Sequence, residues 1–362
     1  MKILQVITSM HIGGAEKLIV DIVPLLKKRG HEVDVCLFNG TNTQFLERLK
    51  ESGCKIYCLS MDERYYNPMK IYKLWRLMRH YDIVHTHLTS PQLFAAIASK
   101  FFCGGALVTT EHNTSNNRRD WKWFPTGIDR WMYNQYQKVI CISKQAEVNL
   151  KEYLGTCRTE IETIFNGVDV DSFRNSEDNP ALRNGSDKFV ITMVAAFRAQ
   201  KDQETLIKAY SLLDSKKYEL WLVGDGERKQ VVEEFARKQG LSDKIRFWGN
   251  RKDVAQILHT SDVIVMSSHF EGLSLSNIEG MSVGKPFIAS DVDGLHEMTE
   301  GAGLLFPHED EKTLASLIEQ LHDNSNLYNK VAESCYRKAK NFDISKMVDG
   351  YEKVYGGLQV NG

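Results

Sequence analysis

Short aliphatic and β-branched runs alternate along the chain with stretches whose apolar residues recur every three or four positions. In the first half, the runs 2–8, 32–38, 55–59, 82–86, 107–111, 138–142 and 160–164 read as strands. Helical spacing fills gaps between them over 15–29, 69–80, 91–101 and 144–154. Strand followed by helix, repeated, predicts a parallel sheet covered on both faces. A polar stretch, 175–187, reads as an inter-domain linker. Beyond it the rhythm restarts, with strands at 189–195, 219–223, 245–247, 263–266, 286–289 and 303–306. Helices are expected at 203–213, 228–239, 254–259, 276–283 and 311–322. Two doubly wound α/β domains in tandem suit a chain of 362 residues at roughly 150 per domain. Open α/β sheets bind ligands outside the carboxyl ends of their strands, so two such domains facing each other across a cleft would hold one substrate each.

Composition removes some classes. With 42% hydrophobic and 26% charged residues, the chain is an ordinary globular protein, neither disordered nor fibrous. A net charge of -1 supplies no overall field toward nucleic acid, and no nucleic-acid partner is expected. The charge is uneven, however: residues 1–165 carry 22 Lys and Arg against 16 Asp and Glu, and residues 166–362 carry 24 against 31. A basic front half suits an anionic membrane surface or an acidic acceptor; it also suits plain scatter over solvated faces. Residues 116–124 mix cations with aromatics, and 69–79 is a basic amphipathic helix around Trp75. Both are compatible with peripheral membrane contact by the N-terminal domain and with an ordinary surface. Seven cysteines without metal-knuckle spacing read as reduced thiols of a cytosolic protein. The opening strand is too short and too polar afterwards for a signal peptide, and no run of about 18 apolar residues occurs. A cytoplasmic location is expected.

Four constellations carry chemistry. Gly13 and Gly14 lie in the turn after the first strand, where helix N–H groups favour an anion and missing Cβ atoms permit close approach; the same glycines suit a tight turn. They do not form the G-x-G-x-x-G pattern of dinucleotide sites. His112 ends a strand, placed to bond a sugar hydroxyl or to serve the core. His85 and His87 share one face of a strand and could reach one ion, but no third ligand is evident and no metal is expected. Arg198 and Lys201 follow the first strand of the second domain, as a diphosphate site or a solvated loop would require. Glu271 and Glu279, eight positions apart, bracket Gly272, Leu273 and Ser274, whose amides can meet phosphate oxygens.

The segment Glu271–Glu279 with Gly280-Met281-Ser282-Val283-Gly284-Lys285-Pro286 following resembles the signature of family 4 retaining glycosyltransferases of the GT-B fold. Supporting matches span the chain: Gly13–Glu16, Val84–His87, Ile142–Lys144, Asn166–Asp169, Thr205–Ala209, Leu222–Gly226, Phe247–Gly249 and Gly294–Glu297. The resemblance implies two Rossmann-like domains, 1–165 for the acceptor and 166–343 for the donor, with 344–362 crossing back to the first. It implies that Arg198 and Lys201 hold the donor diphosphate, Glu279 the ribose, and Glu271 the transferred sugar, with Gly13 and Gly14 closing over the diphosphate. It further implies His112 near the sugar, residues around Asp253 and Val254 at the base, and Gly224 in the donor-binding set. The spacing between Arg198 and Lys201 is shorter than in many relatives, and the segment between the glutamates lacks their frequent aromatic and proline, which bears on the choice of sugar.

The expected reaction is metal-independent transfer of a hexose-type sugar from a UDP- or GDP-linked donor to a glycan, lipid-linked or small acceptor, with no cofactor. The resemblance implies retention of configuration, and with no protein nucleophile standing out, front-face displacement is the expected route. A nucleotide-sugar epimerase or phosphorylase of the same fold, or a non-catalytic nucleotide-sugar binding module, are the alternatives. An epimerase needs no acceptor, and a binding module releases no nucleoside diphosphate.

Overall fold

The computed structural model describes residues 1–11, 13–61, 67–101, 105–112 and 126–358. The chain divides into two compact units, Met1–Gly167 with Ile344–Gly362, and Val168–Asp343.

The first unit holds strands β1 (Lys2–Ile7), β2 (Glu32–Leu37), β3 (Ile56–Cys58), β4 (Ile83–His87), β5 (Ala106–Glu111), β6 (Lys138–Cys141) and β7 (Glu160–Thr163). They form one parallel sheet in the order β3-β2-β1-β4-β5-β6-β7. β4 and β5 are buried throughout, and β1 and β2 after their first residue. That burial is why these strands read as continuous apolar runs rather than as alternation. The order reverses between β1 and β4, so the carboxyl ends of these two strands flank the topological switch point where such sheets bind ligands.

The C-terminal helix Ile344–Gly357 belongs to this unit. Ile344, Met347, Val348, Tyr351, Val354 and Tyr355 recur at helical spacing and join Ile3, Leu18 and Val35 in one core. Arg29 clamps its outer face, with Nη1 at 2.5 Å from both Asp349 and Glu352.

The second unit repeats the plan with β8 (Phe189–Val194), β9 (Tyr218–Val223), β10 (Ile245–Gly249), β11 (Val263–Met266), β12 (Phe287–Ser290) and β13 (Leu304–Phe306). The parallel order is β10-β9-β8-β11-β12-β13, with its switch point between β8 and β11.

The polar stretch 175–187 is not a linker. Leu182 is buried, Asn179 N donates to Thr260 Oγ1 at 2.9 Å, and Arg183 Nη2 meets Asp262 Oδ2 at 2.8 Å. The segment is polar because it bonds to Thr260 and Asp262 of its own unit, which composition alone cannot distinguish from solvation.

The described cysteines are free thiols, and Cys103 lies outside the described residues. No described helix is long and apolar enough to cross a membrane. Residues 116–124 lie outside the described residues. The helix Met69–Met78 sinks Leu74 and Met78 into the core and leaves Met69 and Tyr72 exposed, while Trp75 Nε1 donates to the Phe101 carbonyl at 2.6 Å.

Candidate active site

In the second unit, the loops leaving β8 and β11 meet at the switch point. After β8 the chain passes Arg198, makes a short 3-10 turn at Ala199–Lys201, and enters the helix Gln203–Ser211 through Asp202. Asp202 takes the left-handed conformation (φ 47, ψ 54) that only a few non-glycine residues tolerate, and its carboxylate accepts the Thr205 N–H at 3.2 Å. The strained residue thus fixes the entry of the helix and the direction of the two cations before it. Its second oxygen, Oδ2, has no hydrogen-bond partner among the described residues, and burial pushes the carboxyl above its ordinary value.

Lys201 points to Glu271. Its ammonium forms an ion pair with Glu271 Oε1, which also accepts from Ser268 Oγ at 2.6 Å. The glutamate side chain is 4% exposed and the lysine 14%, so the pair sits in a low dielectric where each charge depends on the other. Backbone bonds stitch the same two loops together: His269 N donates to Gln200 O at 2.8 Å, and Ser267 Oγ to Asp202 O at 2.7 Å. Arg198 is exposed, and its guanidinium has no partner among the described residues. A cation held in place by backbone and left unpaired is suited to an anionic ligand.

Glycines let neighbouring loops close around this site. A Cβ on Gly224 would stand 2.1 Å from the Ala195 carbonyl, and one on Gly226 2.6 Å from that of Phe197; both have positive φ. The loop after β9 therefore lies directly on the backbone that carries Arg198, with Phe197 N donating to Asp225 O at 3.0 Å. That packing gives Gly224, expected in the donor-binding set, a reason independent of any ligand. Gly294 (φ 81) does the same for Glu271, whose carbonyl a Cβ would meet at 2.1 Å.

Gly272, Leu273 and Ser274 lead into the helix Leu275–Ser282. The N–H groups of Gly272 and Ser274 have no hydrogen-bond partner among the described residues, and Ser274 makes no side-chain cap. A helix N-terminus left open in this way is suited to an anion. Glu279 lies buried on the same helix. The sequence did not single out Asn277, which is fully buried with neither side-chain oxygen nor nitrogen partnered among the described residues. Asp253 is tied by its carboxylate to Arg251 at 2.8 and 2.6 Å, which holds it below the usual carboxylate range. Arg251 in turn stacks over Trp248 at 5.0 Å. Asp253 places no side-chain cap on the helix Val254–Thr260.

In the first unit, Gly13 is extended (φ -168), and the helix Gly14–Lys28 starts without a side-chain cap. Glu16 folds back so closely that a Cβ on Gly13 would stand 2.3 Å from its Oε2, whereas nothing lies within 4 Å of the corresponding point on Gly14. His112 follows β5 and bonds through Nε2 to His87 Nδ1 at 2.9 Å. His87 Nε2 meets Gln5 Oε1 at 2.8 Å, and His85 meets Tyr355 OH at 2.6 Å and Thr110 Oγ1 at 2.7 Å. Burial pushes the imidazoles down, His85 to about 3, His112 to about 4, and His87 well below its ordinary value. The shared face of His85 and His87 thus serves a hydrogen-bonded core network. Leu88, next in the chain, is strained at φ 69, ψ 162.

Among the described residues, His269, His308 and Glu309 form a group whose possible ligand atoms lie within 4.8 Å of one another, with two of the three exposed. His269 Nδ1 and His308 Nε2 are 2.7 Å apart, a hydrogen-bond distance.

Two family models match the chain in succession, Glycosyltransferase Family 4 over residues 12–172 and Glycosyl transferases group 1 over residues 175–340. An Escherichia coli UDP-Gal:alpha-D-GlcNAc-diphosphoundecaprenol alpha-1,3-galactosyltransferase is 26% identical, over 100% of this chain and 98% of the relative. The N-acetyl-alpha-D-glucosaminyl L-malate synthase of Bacillus anthracis is 24% identical over 76% of this chain and 74% of its own. Among solved structures, Anabaena Alr3699/HepE in complex with UDP and glucose superposes with a TM-score of 0.85 at 23% identity, over 99% of this chain and 100% of that one. Two parallel α/β sheets and these likenesses define a glycosyltransferase of the GT-B fold. The chain belongs to the group 1, family 4 glycosyltransferases.

Proposed function

We propose that this glycosyltransferase takes its sugar from a nucleoside diphosphate donor and transfers it with retention of configuration. The second unit would hold the donor. Arg198, Lys201 and the open amides of Gly272 and Ser274 would surround the diphosphate, and Glu271 would meet the sugar. The observation that carries this is the Lys201–Glu271 ion pair at the switch point, with the unpaired Arg198 on the same short loop. In this scheme negative charge grows on the departing diphosphate as the glycosidic bond breaks, and preorganised cations and amides stabilise it without a metal ion. Front-face attack follows: the acceptor hydroxyl gives its proton to the leaving phosphate oxygen as its own oxygen bonds the anomeric carbon.

Relatives narrow the substrates. The Escherichia coli galactosyltransferase is named for UDP-Gal and a diphosphoundecaprenol acceptor, and the Anabaena structure holds UDP and glucose. A UDP-hexose donor and a polyprenyl-diphosphate-linked glycan acceptor, in cell-envelope polysaccharide synthesis, are therefore proposed. The protein is to be incubated with UDP- and GDP-hexoses and polyprenyl-diphosphate-linked saccharides. UDP release that needs the acceptor, with an α-linked product from an α-linked donor by proton NMR, is the expected result. An inverted product contradicts the mechanism, donor conversion without acceptor indicates an epimerase, and donor binding without any release indicates a binding module.

A further inference from the structure

Three imidazoles of the first unit, His85 and His87 buried and His112 half-buried, belong to one hydrogen-bonded chain, and its direction can be worked out. All are neutral at pH 7, because burial holds each below its ordinary range. A neutral imidazole donates through one nitrogen and accepts through the other, so one assignment propagates to the next. The shortest link is Tyr355 OH to His85 Nδ1, at 2.6 Å. A phenol is a far stronger acid than a neutral imidazole N–H, and imidazole nitrogen is a far stronger base than a phenol oxygen. The phenol therefore donates there, and His85 carries its proton on Nε2, which donates to Thr110 Oγ1.

With its proton spent on His85, the Tyr355 oxygen is left as an acceptor toward Gln5 Nε2 at 3.4 Å. The amide is thereby oriented, and its Oε1 can only accept. His87 must then be protonated on Nε2, its nitrogen toward Gln5 at 2.8 Å, which leaves Nδ1 as a lone pair. His112 Nε2–H donates to that lone pair at 2.9 Å. The remaining nitrogen, His112 Nδ1, has no partner among the described residues and carries no proton.

We infer that the Tyr355 phenol fixes the tautomer of His112 through Gln5 and His87, so that His112 offers its substrate a hydrogen-bond acceptor at Nδ1. Tyr355, Gln5 and His87 are positioning residues. The group that an acceptor selects is a hydroxyl, here a hydroxyl of the sugar, and the substrate half of the inference rests on the glycosyl-transfer reading of the preceding section. A phosphate or carboxylate oxygen would be refused at the same nitrogen.

The tautomer is read directly from histidine nitrogen shifts in a long-range proton–nitrogen NMR spectrum of the full-length protein at pH 7, without substrate. His112 is expected to show an unprotonated Nδ1 and a protonated Nε2. In Tyr355→Phe its two nitrogens should move toward each other, as the anchor is lost and both orders of the chain become populated. Gln5→Met cuts the relay beyond the phenol and gives the same test should Tyr355→Phe not fold. A wild-type His112 protonated on Nδ1, or one unchanged in a folded relay variant, overturns the assignment. In the transfer assay, kcat should fall about tenfold in the relay variant, the worth of one good hydrogen bond, with nucleoside diphosphate affinity unchanged. A shifted tautomer with unchanged kcat overturns the substrate half and leaves glycosyl transfer itself standing.

Discussion

Lys201→Ala is expected to lower glycosyl transfer by at least about a hundredfold, the usual cost of removing one preorganised contact to a developing charge. On the sequence alone, turnover is expected to fall far more than folding stability. The ion pair alters that expectation: without Lys201, the 4% exposed Glu271 carboxylate retains the Ser268 hydroxyl and loses its countercharge. Breaking one side of a buried pair costs about 3–5 kcal/mol. The two effects separate in the double variant Lys201→Met/Glu271→Gln, which leaves no buried charge at the pair. Urea denaturation should show the stability largely restored, and the transfer assay should show activity still lost. A stable and active single variant would contradict both roles of the lysine.

The second large effect is acid lability. His85, His87 and His112 have folded-state pKa values depressed from 6.5, to about 3 for His85 and about 4 for His112. Below pH 6.5 the unfolded chain binds protons that the folded chain refuses, so stability is complete above that pH and falls as pH drops toward 4. Each histidine contributes up to about 2 kcal/mol of loss by pH 5, at about 1.4 kcal/mol per pH unit. Glu147, held near 2 although burial opposes it, by hydrogen bonds from Lys151, Thr163 and Lys144, acts in a lower window. Its stabilisation is present above its unfolded value of 4.5 and is lost below it. Urea midpoints at pH 7.5, 6 and 5 should therefore fall steeply, and His112→Asn should remove about a third of the slope. Midpoints flat from pH 7.5 to 5 would show the cluster to be solvated.

The strands were legible because the inner strands of both sheets are buried on both faces, so aliphatic and β-branched runs coincide with them to within one or two residues. The helix Ser325–Ala339 was not, since its buried stripe is Val331, Ala332, Cys335 and Ala339, mostly small residues that scarcely register as apolar. Arg198, Lys201 and Glu271 stood out in the sequence as candidates, but the pairing of Lys201 with Glu271 did not. It joins residues 70 positions apart and exists only because the sheet order places β8 beside β11. His85 and Tyr355 are 270 positions apart, and no local pattern could reveal that the C-terminal helix supplies the phenol that His85 bonds. Gly224, expected in the donor-binding set, and Gly294, a motif position, show the converse, since each has a steric reason of its own.

The central claim is that the β8 loop of the second unit recognises a diphosphate through fixed positive charge. Calorimetric titration with UDP and UMP, in a chelating buffer, on the wild type and on Arg198→Ala, tests it most directly. Arg198 is exposed and unpaired, so its loss should leave folding intact. The wild type should bind UDP at least about tenfold more tightly than UMP, and the variant should lose most of that difference. Equal binding of UDP and UMP by the wild type, or a difference that survives in Arg198→Ala, would contradict the account.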